Sequence, residues 1–308
     1  MRFIVRLSFS VGPDHASLCF FAVLLAAGLI AAPVQGADVG VGPQYDTTHV
    51  YVDVADVDAF AKSFLATFGG QSTRQVVATV TPTASSTTSQ LLQTPVGTVS
   101  LFGFKTPVPW PFGTERNGYL VTDMDAAVTQ ARAAGAHVLV APFPDPIGRD
   151  AVIQWPGGVN LQLYWHTSKP DYAAFQSVPE NRVYISPDAV DAYVAAFLKF
   201  SHGKLVADDP RAPGIEVGQP QGTYRRVRIE SLFGRTALLA TDGHLPWPYG
   251  RDNTGYEVAD LTATLARAQA AGVKVLVAPF ASQNRVAAMV EFPGGYIAEI
   301  HSVAATLQ

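Results

Sequence analysis

The chain has 308 residues, of which 48% are hydrophobic and 15% charged, with 21 Lys+Arg against 25 Asp+Glu. That apolar share is enough to offset the entropy of ordering, so a disordered chain is excluded. The mildly acidic balance, with no basic block, argues against electrostatic binding of nucleic acid. The single cysteine, Cys19, rules out an intramolecular disulfide.

In chain order, Arg2 and Arg6 precede an apolar run from Ala16 to Ala32, which ends in Pro33-Val34-Gln35-Gly36-Ala37. Positive charge, apolar stretch and small residues in that order predict a secretory leader over residues 1–36, cut between Gly36 and Ala37. The alternative is a membrane anchor, since the run is near the lower limit for a span. Cleavage takes away Arg2, Arg6 and Asp14 and leaves 19 Lys+Arg against 24 Asp+Glu, with no cysteine. Thiolate nucleophiles, cysteine-zinc sites and iron–sulfur clusters are then excluded. The expected location is secreted or periplasmic, with no membrane contact after cleavage.

A strand is predicted at His49–Val54, then Asp56 as N-cap of a helix with Phe60, Phe64 and Phe68 on one face, ended by Gly69-Gly70. Strands follow at Thr73–Val80, Ser89–Gln93 and Thr98–Phe104. A second round has a strand at Tyr119–Thr122, a helix at Met124–Ala134 closed by Gly135, and strands at Val138–Ala141, Asp150–Trp155 and Asn160–His166. The order then repeats. Thr48-His49-Val50-Tyr51-Val52-Asp53 returns as Asn181-Arg182-Val183-Tyr184-Ile185-Ser186, and Pro109-Trp110-Pro111-Phe112-Gly113 as Pro246-Trp247-Pro248-Tyr249-Gly250. Val138–Phe143 recurs identically at Val275–Phe280, and Pro156-Gly157-Gly158 as Pro293-Gly294-Gly295. So many matches in one order define two copies of one domain, 46–168 and 179–303, joined by a linker from Ser168 to Pro179. Arg226 and Arg228, on one face of a predicted strand, read as a solvated face. No phosphate-binding loop, dinucleotide fingerprint or serine-nucleophile elbow is present.

Four βαβββ units, two per domain, resemble the vicinal oxygen chelate superfamily, which includes glyoxalase I, bleomycin-resistance proteins and extradiol ring-cleaving dioxygenases. The most specific carriers are the strand–Asp–helix–Gly–strand order and the turns Trp155-Pro156-Gly157-Gly158 and Phe292-Pro293-Gly294-Gly295. The resemblance implies an α+β fold with two tandem domains. In each, an eight-stranded mixed sheet curls into a cup with its helices outside. It also implies a small organic ligand in a cup, and a divalent metal held by residues on the first strand of each unit and a Glu on a last strand.

Carried over position by position, the metal ligands of the first domain are His49, Arg116 or Asn117, and Gln162; those of the second are Arg182, Asn253 or Thr254, and Glu299. Neither set is complete, because Arg stays protonated and Gln is a weak neutral ligand. The expected metal residues are therefore His49, Gln162 and Glu299. Glu299 and His301 share one face of their strand, and with His244 they offer a divergent catalytic site in the second domain. The competing reading has Arg182 pair with Glu299, filling the cation position with the protein's own charge. Trp110 and Trp247, in the paired Pro-Trp-Pro segments, are expected either as an aromatic wall or as rigid corners. Tyr119 and Tyr256, and also Tyr51 and Tyr164, are expected to turn polar tips into the cups, and Arg182 completes the expected ligand-binding set.

Three functions follow. One is an exported binder of a small organic molecule without a full metal triad, acting as a monomer. Another is a metal-dependent lyase or ring-cleaving dioxygenase with its site in the second domain. The third is a structural or interaction module. The cofactor is accordingly either none or a divalent metal ion.

Overall fold

The structure is a computed structural model in which residues 38–303 are described. The expected leader, its cleavage point and Cys19 lie outside the described residues.

The first βαβββ unit is β1 (Asp46–Asp53), α1 (Val57–Phe68), β2 (Gln71–Ser72), β3 (Val76–Ala78), β4 (Thr87–Thr94) and β5 (Gly97–Phe104). The second is β6 (Asn117–Leu120), α2 (Met124–Ala134), β7 (His137–Pro144), β8 (Gly148–Trp155) and β9 (Val159–His166). The third is β10 (Glu180–Ile185), α3 (Val190–Ser201), β11 (Lys204–Pro213), β12 (Thr223–Ser231) and β13 (Gly234–Ala240). The fourth is β14 (Asn253–Glu257), α4 (Leu261–Ala270), β15 (Lys274–Ser282), β16 (Arg285–Glu291) and β17 (Ile297–Val303). The strand expected at Thr73–Val80 is shortened to β3, with the two-residue β2 lying before it.

Local chemistry sets the helix ends. Asp123 accepts from the Ala126 amide at 2.8 Å and Asp260 from the Ala263 amide at 2.9 Å, so each carboxylate takes up an orphan N–H at the start of its helix. Gly135, at φ 107°, closes α2 in the left-handed region. The N-cap expected at Asp56 is corrected. Its side chain caps nothing, and Asp53 instead accepts from the Ala55 amide at 2.9 Å, in the 3-10 turn that leads into α1.

Two mixed sheets result. The first runs β2-β4-β5-β1-β6-β9-β8-β7, with β3 paired to β4, and the second β11-β12-β13-β10-β14-β17-β16-β15. Within each, the two units meet through an antiparallel pair, β1 with β6 and β10 with β14, while the first strand of every unit pairs in parallel with that unit's last. This is the curled tandem α+β architecture expected for four βαβββ units.

The helices lie outside both cups, and they fill the space between the two sheets. One core joins α1, β1 and β5 of the first sheet to α4, β16 and β17 of the second. The other joins α2, β8 and β9 to α3, β10 and β13. The aromatic before each Pro-Gly-Gly turn anchors this cross-packing. Phe292 sits among Phe60, Phe64 and Phe68 of α1, with ring centroids 5.3–6.1 Å apart, and Trp155 against Phe197 and Phe200 of α3 at 5.8 and 5.2 Å. Each such ring contributes about 1.5–3 kcal/mol of transfer free energy by leaving water. The turns themselves need glycine twice over. Gly294 has φ 82° and a Cβ on it would lie 2.5 Å from Val52 in the opposite sheet. Gly157 has φ 86° and would meet Ile185 at 2.7 Å.

Strand alternation then fixes the cups. On β1, Val50 and Val52 face the helices, so His49 and Tyr51 face the first cup. On β10, Val183 and Ile185 face the helices, which leaves Arg182 and Tyr184 for the second cup.

Candidate functional site

The first cup encloses a cavity of about 370 Å³. Its floor is polar, with His49 and Thr47 from β1, Gln162 and Tyr164 from β9 and Asp150 from β8; Phe102 from β5 and Phe112 from the connection before β6 form apolar wall. The segment expected to be a plain linker contributes too. Tyr172 lines the cavity, its ring 5.1 Å from that of Tyr45, whose hydroxyl donates to the Pro170 carbonyl at 2.9 Å.

His49 is 3% exposed, and its Nδ1 lies 3.6 Å from Oε1 of Glu115. Glu115 is wholly buried and accepts a hydrogen bond from the Tyr51 hydroxyl. Neither Nδ1 of His49 nor Oε2 of Glu115 has a hydrogen-bond partner among the described residues. Unpartnered buried polar atoms are rare and mark places where something else is bound or strain is held. Burial, and then the Glu115 carboxylate, push the Tyr51 phenol well above its ordinary range. Gly118, facing His49 from β6, is there for space, since a Cβ on it would lie 2.4 Å from Nε2 of His49.

Across the cavity, Asp150 is 5% exposed and hydrogen-bonded to Gln162. Burial, and then the neighbouring Asp145 carboxylate, push its carboxyl well above the usual range, and the bond to Gln162 offsets this only in part. His166, at the rim, is half-buried and its imidazole is held below its ordinary value by that burial.

The second cup is closed by its own charges. Nη1 of Arg182 lies 2.8 Å from Oε2 of Glu299, Nη1 of Arg285 3.3 Å from Oε1 of Glu299, and Nδ1 of His301 3.1 Å from the same Oε1. Glu180 adds contacts to Arg228 and Arg285 at 3.3 Å, and Glu216 takes Arg226, Tyr224 and Ser282. Burial pushes Glu299 up, but Arg182 first, then His301 and Arg285, bring it down to about 2. Glu180 is likewise pulled below its range by Arg285, Arg182 and Arg228 against burial. The carboxylates of this cup are all paired internally, so none of them is left to meet a cation.

The expected site residues fall as follows. His49 and Gln162 lie on the floor of the first cup. Glu299, His301 and Arg182 are brought together, but inside the ion cluster of the second, so the first cup and not the second holds the open site. Arg226 and Arg228 belong to that cluster, which corrects their reading as a solvated face. His244 is exposed and pairs with Asp242 at 3.2 Å, away from Glu299 and His301. Tyr119 and Tyr256 are corrected as cup residues. They alternate onto the helix side, where Tyr119 stacks on Phe233 at 4.9 Å and Tyr256 packs on Phe68 at 5.0 Å. Trp110 is 72% exposed and Trp247 59% exposed, so neither forms a cavity wall. Phe112, two residues after Trp110, takes that place. The side chain at 116 is exposed, and Asn117 bonds Asp46 and Asn181 on the helix side.

A divalent metal does not fit these donors. In the first cup the expected positions offer one imidazole and one neutral amide, and in the second a guanidinium lies against the carboxylate. Among the described residues no group of three or more His, Cys, Asp or Glu is placed to hold an ion.

With this geometry in hand, solved structures supply the comparison. A substituted form of 4-hydroxymandelate synthase from Streptomyces coelicolor superposes with a TM-score of 0.56 at 13% identity, over 89% of this chain and 94% of that one. The Mn(II)-bound glyoxalase from Novosphingobium aromaticivorans gives 0.50 at 16% identity, over 86% and 83%. The 2,2',3-trihydroxybiphenyl 1,2-dioxygenase from Sphingomonas wittichii gives 0.50 at 14% identity, over 88% and 93%. No protein-family model and no curated protein matches the chain. The likeness is one of fold: the chain shares the tandem βαβββ architecture of these proteins.

Proposed function

We propose that the protein binds a small organic molecule in the first cup and does so without a metal triad, as an exported protein once residues 1–36 are removed. The observation that carries this reading is the cavity of about 370 Å³ over His49, Asp150 and Gln162, set beside a second cup closed by ion pairs. That volume suits a ligand of one or two rings, and a mostly apolar wall with a few fixed polar groups is what such sites need. The neighbours named as glyoxalase and dioxygenase supply probes for the test. The purified protein is titrated with catechol and with the methylglyoxal–glutathione adduct, with and without Mn(II). Binding without turnover, lost when Ser100 in the cavity wall is replaced by Trp, supports the reading. Metal-dependent turnover overturns it in favour of the enzyme reading. Binding unaffected by Ser100→Trp moves the site out of the first cup.

A further inference from the structure

Among the described residues, each carboxylate buried in the second cup comes with a guanidinium. In the second cup Glu299 has Arg182 at 2.8 Å, Glu180 has Arg228 and Arg285 at 3.3 Å, and Glu216 has Arg226. In the first, Glu115 accepts a hydrogen bond from the Tyr51 hydroxyl and lies 3.6 Å from the His49 imidazole. Among the described residues Asp150 has no guanidinium or ammonium partner. It lines the cavity, nine-tenths buried, and the charged groups that act on it are the carboxylates of Asp145 and Glu115. Among the described residues that line the cavity, the one Lys or Arg is Arg74, and its side chain is exposed. A buried carboxylate surrounded by others is costly to ionise unless a cation meets it.

Two further features of the same cavity point to what that cation is. Its wall is aromatic. Tyr51 lies 5.2 Å from Phe102, and His49 5.4 Å from it, centroid to centroid, and the faces of such rings attract a cation. Its floor holds an unpartnered buried nitrogen, Nδ1 of His49, beside the carboxylate of Glu115. A compact metal ion requires several donors converging on one point, which these residues do not provide. An organic cation needs one carboxylate, an aromatic wall and room for its body, and all three are present.

We propose that the first cup takes an organic monocation, its primary ammonium head seated against Asp150 and its apolar body along Phe102 and Phe112. This rests on the first cup being the binding site and adds the charge class of the ligand. The ammonium donates to the Asp150 carboxylate and replaces the countercharge that Arg182 supplies to Glu299 in the other cup.

The test uses three probes of one shape and different charge, 2-phenylethylamine, 2-phenylethanol and phenylacetate, titrated calorimetrically into the full chain and into the isosteric variant Asp150→Asn. The amine is expected to bind the native protein at least about tenfold more tightly than the alcohol, the ratio that a hydrogen bond to a charged group supports. Phenylacetate is expected to bind more weakly than either. In Asp150→Asn the preference for amine over alcohol collapses towards unity while the alcohol binds as before, which also shows that the variant is folded. Equal binding of amine and alcohol, or tighter binding of phenylacetate, overturns the charge class and leaves the cup reading standing. If no probe binds, both fall. Stoichiometric Mn(II) retained by the native chain and lost in Asp150→Asn would make the missing cation a metal and also overturn the proposal.

Discussion

Arg182 and Glu299 meet inside the second cup at 2.8 Å, on the two strands whose counterparts in the first cup carry His49 and Gln162. The same pair of positions thus has two chemical solutions in one chain. In one copy the protein brings a guanidinium to a carboxylate and closes the cup. In the other it leaves a neutral amide facing an imidazole, and the space between them stays open. A duplicated domain can divide its work in this way, with one copy kept as scaffold and the other as site.

If the Arg182–Glu299 pair closes the second cup as a compensated unit, breaking it from one side should cost far more than removing both charges. Arg182→Met leaves Glu299 without its main partner and Glu180 without one of three arginines in a buried setting, for an expected loss of about 3–5 kcal/mol. The double variant Arg182→Met/Glu299→Met keeps the Arg285–Glu180 contact at 3.3 Å and should recover most of that loss. Urea unfolding of the two single variants and the double completes the cycle. Additive losses would mean that the two charges do not compensate each other.

Asp46 makes stability fall with rising pH. It lies between the two sheets, where Asn181 donates to it at 2.6 Å and Asn117 at 3.3 Å, and burial pushes its carboxyl up to about 8 despite those bonds. A carboxyl whose folded value is raised contributes its stability in full below the unfolded value of 3.8. That contribution is lost as pH rises through about 8. A tenfold change in a group's proton affinity corresponds to about 1.4 kcal/mol, so the loss across this window is on the order of a few kcal/mol. Asp46→Asn removes the titration. The stability difference, native minus variant, should therefore drop steadily from about pH 4 to about pH 8 and level off above that in urea unfolding, and a difference independent of pH would contradict the assignment.

Phe292 tests the cross-packing of the two sheets. Truncation to Ala should cost about 3–5 kcal/mol, the range for a buried aromatic. More telling is where protection is lost. Because the ring packs on Phe60, Phe64 and Phe68, amide exchange should speed up in α1 as well as in β16 and β17. Faster exchange confined to β16 and β17 would mean that the first and fourth units do not share a core.

What could be read from the sequence divides along the same physical lines. Met124–Ala134 was legible to the residue, because Ala127, Val128 and Ala131 recur on one face between Asp123 and Gly135. The pairing of Arg182 with Glu299 was open as one of two readings, since both positions follow from the repeat. The helix-side placement of Tyr119 and Tyr256 is not legible in the sequence, because alternation says which residues share a face, not which face is the cup. In a sheet covered by helices on one side and curled on the other, both faces carry aromatics. Arg226 and Arg228 look solvated until Glu180 and Glu216 are brought across from other elements, a long-range contact that no local pattern announces. Glu115 lies in the connection between β5 and β6, where no periodicity marks it. Its one signal was that the repeat places an acid, Asp252, at the matching point, where it accepts from the Tyr184 amide at 2.8 Å.

Gly118→Ala asks whether the geometry around His49 matters to the site. The added methyl would lie 2.4 Å from Nε2 of His49 and 3.0 Å from Oγ1 of Thr47, so the imidazole has to move. Overpacking of this kind costs typically about 1–3 kcal/mol. The ring is held between the methyl on one side and Glu115, 3.6 Å from Nδ1, on the other, so it has little room to turn except towards the cavity. The expected outcome is a protein that still folds, with a melting temperature lowered by several degrees, consistent with that energy. Binding of 2-phenylethylamine should be weakened about tenfold or more, with the His49 ring resonances shifted in the NMR spectrum. Unchanged ring resonances with weakened binding would place the effect of Gly118 elsewhere in the cup. Unchanged binding with shifted resonances would remove His49 from the ligand's surroundings.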